Sequence, residues 1–322
     1  MRRSDLPRQV ARWRARFVLT SSAVRMHFLS LEAARTQSKS LTSLPASFLQ
    51  SSHGGDSPMT EAVEQFEDDG FLCLRQAVPV PSEWITFAEA YFLQIFRLLY
   101  ERGHTAFPQH VRDGVYALGL GIKEGFREVV MRSPGRYELS MLHQEEPYPS
   151  IEVLEERILP RVSQLLHLGE DEVPRLCNLS LVVSAPGSSE QSWHADGGHC
   201  STTEHLPCHV LNVFVPLIDV TESHGPTEFR PGSHYYTRNL GPMMLAAKCQ
   251  KRLRPTQAPT LTVGDILLFD YRVLHRGRAN QHATDVRTFL VLTYGQPWFH
   301  DVLNFPKRSM MESKTTSDKK VG

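Results

Sequence analysis

Apolar positions recur at two periods along this chain, and the change falls near Leu176. Before it the spacing is helical. Trp84, Phe87, Ala88, Tyr91, Phe92, Ile95, Leu98 and Leu99 fall three or four apart, which predicts an amphipathic helix opening at Pro81-Ser-Glu-Trp. Ser82 suits its N-cap, because a serine oxygen can accept a free N–H of the first turn, and Gly103 ends it. A second stripe of Ile151, Leu154, Ile158, Val162, Leu165 and Leu166 predicts a helix from near Ser150 to Leu168. Pro160 is expected to kink or divide it, since proline has no N–H to donate and its ring meets the preceding turn. The stretch between them, Thr105 to Pro149, holds Gly119, Gly121 and Gly125 and then Arg127-Glu-Val-Val-Met-Arg-Ser-Pro-Gly-Arg136. It reads as a helical turn and loop supporting the rest, the other reading being a wall of a substrate pocket.

After Leu176 the runs are short and of strand type. They are Asn178–Val183, His209–Pro216, Thr227–Arg230, Gly264–Asp270 and Arg287–Tyr294, set apart by turn residues such as Ser184-Ala-Pro-Gly187 and Pro231-Gly-Ser-His234. His234 reads as a structural residue of its turn. Helices followed by a run of strands predict a mainly β fold with flanking helices. A polar loop, Gly197 to His209, separates the first two strands and carries Cys200, His205, Cys208 and His209 in a spacing that fits no standard zinc site.

Composition narrows the class. With 322 residues, 41% hydrophobic and 22% charged, the chain suits one large domain, or one domain with an appended segment. Formal net charge is zero, so bulk electrostatics makes no case for a nucleic-acid partner. Five scattered cysteines without a Cys-x-x-Cys argue against a disulfide framework and for a reducing compartment. Residues 1–50 carry eight Arg and one Lys against Asp5 and Glu32, the pattern of a mitochondrial transit peptide. A disordered tail, or a true start at Met59, explains the same stretch. No apolar run is long enough for a membrane span or a secretory leader. The expected division is therefore an extension over 1–58, a domain over 59–306 with its β core from about 176, and a disordered tail over 307–322. The expected compartment is cytoplasmic or mitochondrial, and the sequence sets no oligomeric state.

The chemistry gathers in the strand region. His194 and Asp196 are two apart in Gln191-Ser-Trp-His-Ala-Asp196, so on a strand both side chains point to one face. His275 follows the apolar run Gly264–Asp270. Two histidines and one carboxylate form the facial triad that leaves open positions on ferrous iron. His143-Gln-Glu145 offers similar ligand types as a decoy. Arg287 opens the last strand, where a guanidinium can hold a carboxylate by two parallel bonds.

The order of these pieces resembles the phytanoyl-CoA dioxygenase family of iron(II)/2-oxoglutarate oxygenases. The matching parts are Trp193-His-Ala-Asp196, Gly225-Pro-Thr-Glu-Phe-Arg-Pro-Gly-Ser-His234, Gly264-Asp-Ile-Leu-Leu-Phe-Asp270, His275-Arg-Gly277 and Arg287. The acidic helix and strand opening at Met59-Thr-Glu-Ala-Val-Glu-Gln-Phe-Glu-Asp-Asp-Gly70 extend the likeness. The resemblance implies a double-stranded β-helix (a jelly roll of cupin type), with His194, Asp196 and His275 as both metal ligands and catalytic centre. It implies Fe(II), with 2-oxoglutarate and O2 as cosubstrates and Arg287 on the far carboxylate of 2-oxoglutarate. Asn212, the polar residue of its strand, is assigned to the 2-oxoglutarate pocket, the other reading being a bond to neighbouring backbone. Halogenating relatives lack the aspartate, so Asp196 speaks for hydroxylation, with a small organic molecule or acyl derivative as substrate. Two other readings stand beside this one: a non-catalytic barrel that binds a metabolite or partner, and a cupin-type metal enzyme that needs no cosubstrate.

Overall fold

The computed structural model describes residues 58–101, 125–142, 148–201, 203–237, 254–300 and 305–311. The arginine-rich extension, Gly119 and Gly121, His143-Gln-Glu145, and the tail from 312 lie outside the described residues. Three helices frame the site: α1 (Pro58–Asp69), α2 (Ser82–Glu101) and α3 (Glu152–Leu165). The strands are β1 (Phe71–Leu74), β2 (Val129–Ser133), β3 (Arg136–Ser140), β4 (Arg175–Ser184), β5 (Val210–Pro216), β6 (Thr227–Phe229), β7 (Ile266–Asp270), β8 (His275–Gly277) and β9 (Arg287–Gly295). Seven of them form one antiparallel sheet in the order β1-β7-β5-β9-β4-β3-β2. The other two, β6 and β8, pair in a second sheet. That sheet is widened by isolated bridges, His194 to His275 on one side and Phe229 to Gln257 on the other.

Alternation along β9 decides which residues line the site. Arg287, Phe289, Val291 and Thr293 share one face, and Thr288, Leu290, Leu292 and Tyr294 the other. The second face lies under the helices. Tyr294 donates to Glu155 of α3 at 2.8 Å, and Tyr91 of α2 donates to the Ser140 carbonyl at 2.9 Å. Phe92 and Phe96 of α2 pack on Tyr137 of β3. The first face meets the smaller sheet. Phe71, Leu267, Phe269, Phe289 and Val291 from the large sheet form one apolar cluster with Phe229 of β6 and with Val220, Leu261 and Val273. Two antiparallel sheets facing each other across one apolar layer give the jelly-roll architecture that the sequence implied. Among the described residues no helix is long and apolar enough to cross a membrane.

Three details differ from the sequence reading. The stretch from Arg127 to Arg136 is no helical turn. Its second half joins the next residues in a hairpin, β2 and β3 turning through Pro134-Gly135, that extends the large sheet beyond β4. Its β-branched Val129-Val130 and the Pro-Gly pair are strand and turn signals. The charges at Arg132, Arg136 and Glu138 obscure them. Helix α3 runs undivided through Pro160. An internal proline costs about 3 kcal/mol. Burial of Leu154, Ile158, Val162 and Leu165, at roughly 1.5–3 kcal/mol each, outweighs it. The chain near Lys307, expected to be disordered, is tied down. Ser309 Oγ donates to Glu128, and the Met310 N–H donates to Glu128 Oε2 at 3.0 Å.

The turn that carries the chain from β7 to β8 matters most for function, because it ends at His275. Asp270 and Arg272 lock it. Arg272 Nε and Nη2 donate to the two Asp270 oxygens at 2.9 and 2.6 Å, and Arg272 Nη1 donates to the Leu206 carbonyl at 2.8 Å. Both side chains are buried. Burial pushes the Asp270 pKa up, but the bonds from Arg272 outweigh it and hold the carboxyl below its usual range. A depressed carboxylate stabilises the fold above its unfolded pKa and loses that contribution as pH falls through the folded value. Asp270→Asn should therefore cost about 3–5 kcal/mol at neutral pH, because it strands a buried guanidinium. The gap between wild type and variant in urea melts should narrow below about pH 4. Equal midpoints at neutral pH would remove this pair from the stability of the turn.

Candidate metal centre and anion pocket

The two histidines are neighbours across a strand pair. The His194 N–H donates to the His275 carbonyl at 3.0 Å, and the His275 N–H donates back at 2.9 Å. Directly opposed residues of an antiparallel pair project to one side, and the two ring centroids lie 4.4 Å apart. Asp196, two residues on, is anchored by its own N–H to the Tyr271 carbonyl at 3.0 Å. Trp193 points the other way. Its ring is held between the guanidinium groups of Arg230 at 4.7 Å and Arg276 at 4.6 Å, which fixes the segment from behind.

Proton positions follow from the hydrogen bonds. His194 Nδ1 lies 2.8 Å from the Ser192 carbonyl, and His275 Nδ1 lies 3.1 Å from the Val273 carbonyl. A carbonyl only accepts, so both Nδ1 atoms carry the proton and both Nε2 atoms carry a lone pair. Those lone pairs face the same carboxylate: His194 Nε2 is 3.8 Å from Asp196 Oδ1, and His275 Nε2 is 3.6 Å from Asp196 Oδ2. Burial, and then the neighbouring His275, lower the His194 pKa to about 4, so this imidazole stays neutral at physiological pH. The potential ligand atoms of the three residues lie within 4.8 Å of one another. Two lone pairs and a carboxylate aimed at one another are repulsive alone and fit a divalent cation. Asp196 is the most exposed of the three, at 28% of its side chain against 6% for His275. The centre is therefore open on the aspartate side.

Asn212 supports that carboxylate. Its amide N–H donates to Asp196 Oδ2 at 2.6 Å, and its amide oxygen accepts from Thr293 Oγ1 at 2.6 Å. The buried amide thus satisfies side chains, one of them a candidate ligand, and not the backbone. Beyond Thr293 the same inner face stays polar. Asn178 pairs with Thr293 across β4 and β9, and its amide and the Ser180 hydroxyl both donate to Glu138. Arg132 closes the row on Glu138 at 2.6 Å.

Arg287 lies on the inner face of β9 and is 1% exposed. Its Nη1 donates to the Gly225 carbonyl and its Nη2 to Ser184 Oγ at 2.9 Å, while Nε has no acceptor. No carboxylate among the described residues lies within ion-pair distance. Burial, and then the charge of Arg136, push its pKa well below the usual guanidinium range. A buried cation with a free donor and neutral acceptors fits an anion brought from outside. Gly225 belongs there: φ is +70°, and a Cβ would lie 2.2 Å from the Ala279 carbonyl oxygen.

A second group, His224, His282 and Asp285, also has ligand atoms within 4.8 Å. Its Nδ1 lone pairs are already engaged. The Thr221 N–H donates to His224 Nδ1 at 3.2 Å, and the Asp285 N–H donates to His282 Nδ1 at 3.0 Å. Each Nδ1 thus accepts a backbone N–H, and both histidines act as turn caps. The structure brings His194, Asp196, His275 and Asn212 together and leaves Arg287 buried elsewhere on the inner face of β9. Sequence reasoning missed Thr293, Ser184 and Arg136. Thr293 was hidden in an apolar run, Arg136 in the unread hairpin, and Ser184 was read as a turn residue.

The sequence model of one family, described as Phytanoyl-CoA dioxygenase (PhyH), matches residues 66–288. Solved structures that the chain resembles include the non-heme alpha ketoglutarate dependent carbocyclase SnoK from nogalamycin biosynthesis. It is 18% identical with a TM-score of 0.49, over 76% of this chain and 87% of that one. HygX from Streptomyces hygroscopicus, with nickel, 2-oxoglutarate and hygromycin B bound, is 16% identical with a TM-score of 0.48, over 77% of this chain and 95% of that one. Likeness of this degree carries no residue role across.

Two sets of variants test the centre. His194→Ala and His275→Ala should each abolish stoichiometric binding of a divalent metal, read by anaerobic titration. Full occupancy in the double variant would reject the assignment. Asn212→Ala should weaken metal binding roughly 10–100-fold, as loss of a ligand's hydrogen-bond partner does. Unchanged metal affinity, together with weakened 2-oxoglutarate binding at saturating metal, would instead place Asn212 in the cosubstrate pocket.

Proposed function

The chain belongs to the phytanoyl-CoA dioxygenase family, and on that premise we propose how its own residues carry an iron(II)- and 2-oxoglutarate-dependent oxygenase reaction. His194, Asp196 and His275 would hold the iron, as two imidazoles and one carboxylate do in oxygenases of this chemistry. When bound, the metal supplies the redox chemistry that couples O2 to 2-oxoglutarate and substrate. The balance is one substrate C–H, one O2 and one 2-oxoglutarate giving an alcohol, succinate and CO2. The protein's part is geometric. The Ser192 and Val273 carbonyls hold both histidines in the ligand tautomer. Asn212 fixes one oxygen of Asp196. Arg287 would hold the distal carboxylate of 2-oxoglutarate.

One observation carries this reading: a ligand triad with converging lone pairs lies in the same fold as a buried guanidinium that lacks a carboxylate. The presence of Asp196 favours hydroxylation. The substrate is a small organic molecule or acyl derivative, and the polar row from Asn178 to Arg132 offers hydrogen-bond partners for it. Free Cys73, Cys177, Cys200 and Cys208 suit a reducing compartment, cytoplasmic or mitochondrial.

Arg287→Lys keeps the charge and loses the planar fork, so it should weaken 2-oxoglutarate binding while sparing metal affinity. Arg287→Gln should weaken it further, by about 2–5 kcal/mol for a desolvated charged pair. The measurement is anaerobic titration of 2-oxoglutarate into metal-loaded wild type and both variants. Unchanged affinity in both would remove Arg287 from the site. Succinate formation that requires both iron and oxygen, scored across a panel of acids and acyl thioesters, separates this reading from a binding-only barrel and from a cosubstrate-independent enzyme.

A further inference from the structure

A second guanidinium lies beside Arg287. Arg136 opens β3 and is 1% exposed. Arg136 faces Ser184 across β3 and β4, and Ser184 faces Arg287 across β4 and β9. Opposed residues project to the same side, so Arg136, Ser184 and Arg287 form one row on the inner face. The two guanidinium groups also end on adjacent backbone. Arg287 Nη1 donates to the Gly225 carbonyl, and Arg136 Nη2 donates to the Arg278 carbonyl at 2.7 Å. A Cβ on Gly225 would lie 2.6 Å from that same Arg278 oxygen.

Like Arg287, Arg136 has no carboxylate at ion-pair distance among the described residues. Its partners are the Ser133 hydroxyl at 3.3 Å and the Ser189 and Arg278 carbonyls. Glu190 acts on it from farther away and is paired with Arg276. Burial lowers its pKa to about 10, so it remains a cation at neutral pH. Two buried cations side by side destabilise each other and the fold unless an anion joins them.

Gly277 makes the room. A Cβ there would lie 1.9 Å from Arg136 Nη1. Gly277 is two residues from His275 on β8, so the guanidinium occupies the place of a side chain on the same face as a metal ligand. That is about 6–7 Å along the strand. The Arg136 guanidinium therefore lies one dipeptide along β8 from a metal ligand.

We propose that Arg136 is the second cation of the cosubstrate pocket, gripping the distal carboxylate of 2-oxoglutarate from the side opposite Arg287. This rests on the reading of Arg287 above and adds a consequence. The pocket selects a 2-oxo dicarboxylate over a 2-oxo monocarboxylate of equal length by two guanidinium groups and not one. Arg136 is a binding residue, with no part in moving electrons or protons.

The test uses the metal-loaded full chain with oxygen excluded, titrated with 2-oxoglutarate and with 2-oxopentanoate. Arg136→Gln should weaken 2-oxoglutarate roughly 10–100-fold, the range for a lost hydrogen bond to a charged group. It should leave 2-oxopentanoate nearly unchanged, so the selectivity ratio falls. The melting temperature without ligand should hold or rise, because a buried unpaired cation is gone. Gly277→Ala, which displaces the guanidinium and keeps its charge, should lower the same ratio with metal affinity intact. Unchanged ratios in both variants overturn the proposal, as does a lower ligand-free melting temperature in Arg136→Gln with 2-oxoglutarate affinity retained. Arg287→Gln is the control. If it too leaves 2-oxoglutarate affinity unchanged, the pocket itself is misassigned. If it alone weakens binding, only the role of Arg136 fails.

Discussion

Two imidazole lone pairs and a carboxylate pointed at one another are stable only around a cation, and this structure commits much of its local bonding to keeping them so. The Ser192 and Val273 carbonyls take the Nδ1 protons and leave the Nε2 atoms bare. The mutual backbone bonds of His194 and His275 hold the rings side by side. Asn212 takes one oxygen of Asp196, and Thr293 in turn takes Asn212. Each bond is worth about 1 kcal/mol net, yet together they decide geometry, because a ring turned over would present an N–H where a lone pair is needed. The contrast with His224, His282 and Asp285 makes the point. The residue types are the same, but backbone amides donate to Nδ1 there and engage the lone pair a metal would need.

The rest of the fold serves that tautomer arrangement and a buried positive pocket next to it. The Asp270–Arg272 pair fixes the turn that delivers His275. The facing sheets bury Phe229, Phe269 and Phe289 between them, which gives His275 a rigid neighbour in Phe269 at 4.8 Å. Arg287 and Arg136 work differently. They lower the stability of the ligand-free chain, since their desolvation is met only by carbonyls and hydroxyls. In the proposed role the two cations would form a preorganised anion receptor, and binding would recover what burial cost.

Much of this was legible in the sequence where spacing alone decides position. His194 and Asp196 are two apart on an extended segment, and Arg287 begins an alternating strand with Phe289 and Val291, so their faces followed without a structure. The helical stripe of α2 was equally plain, with Trp84, Ala88, Tyr91, Phe92, Ile95 and Leu99 all buried. Long-range pairing was not legible. The destination of Asn212 depends on a loop sixteen residues earlier folding back to β5. The β2–β3 hairpin carries charges on its inner face, which breaks the apolar alternation that marks a strand, and Arg136 vanished with it. Proline misled in α3, because local propensity ignores the burial on either side of Pro160.

Under the proposed assignment, the metal at the triad and the two guanidinium groups would hold the two ends of the same molecule. The assignment is tested by titrating 2-oxoglutarate, with oxygen excluded, into the chain with and without bound divalent metal. The expected result is affinity at least about 10-fold tighter with metal, a coupling of about 1.4 kcal/mol, with metal affinity raised by the same factor when 2-oxoglutarate is present. Equal 2-oxoglutarate affinity with and without a metal that itself binds His194, Asp196 and His275 would mean that the two sites do not share a ligand, and would contradict the assignment.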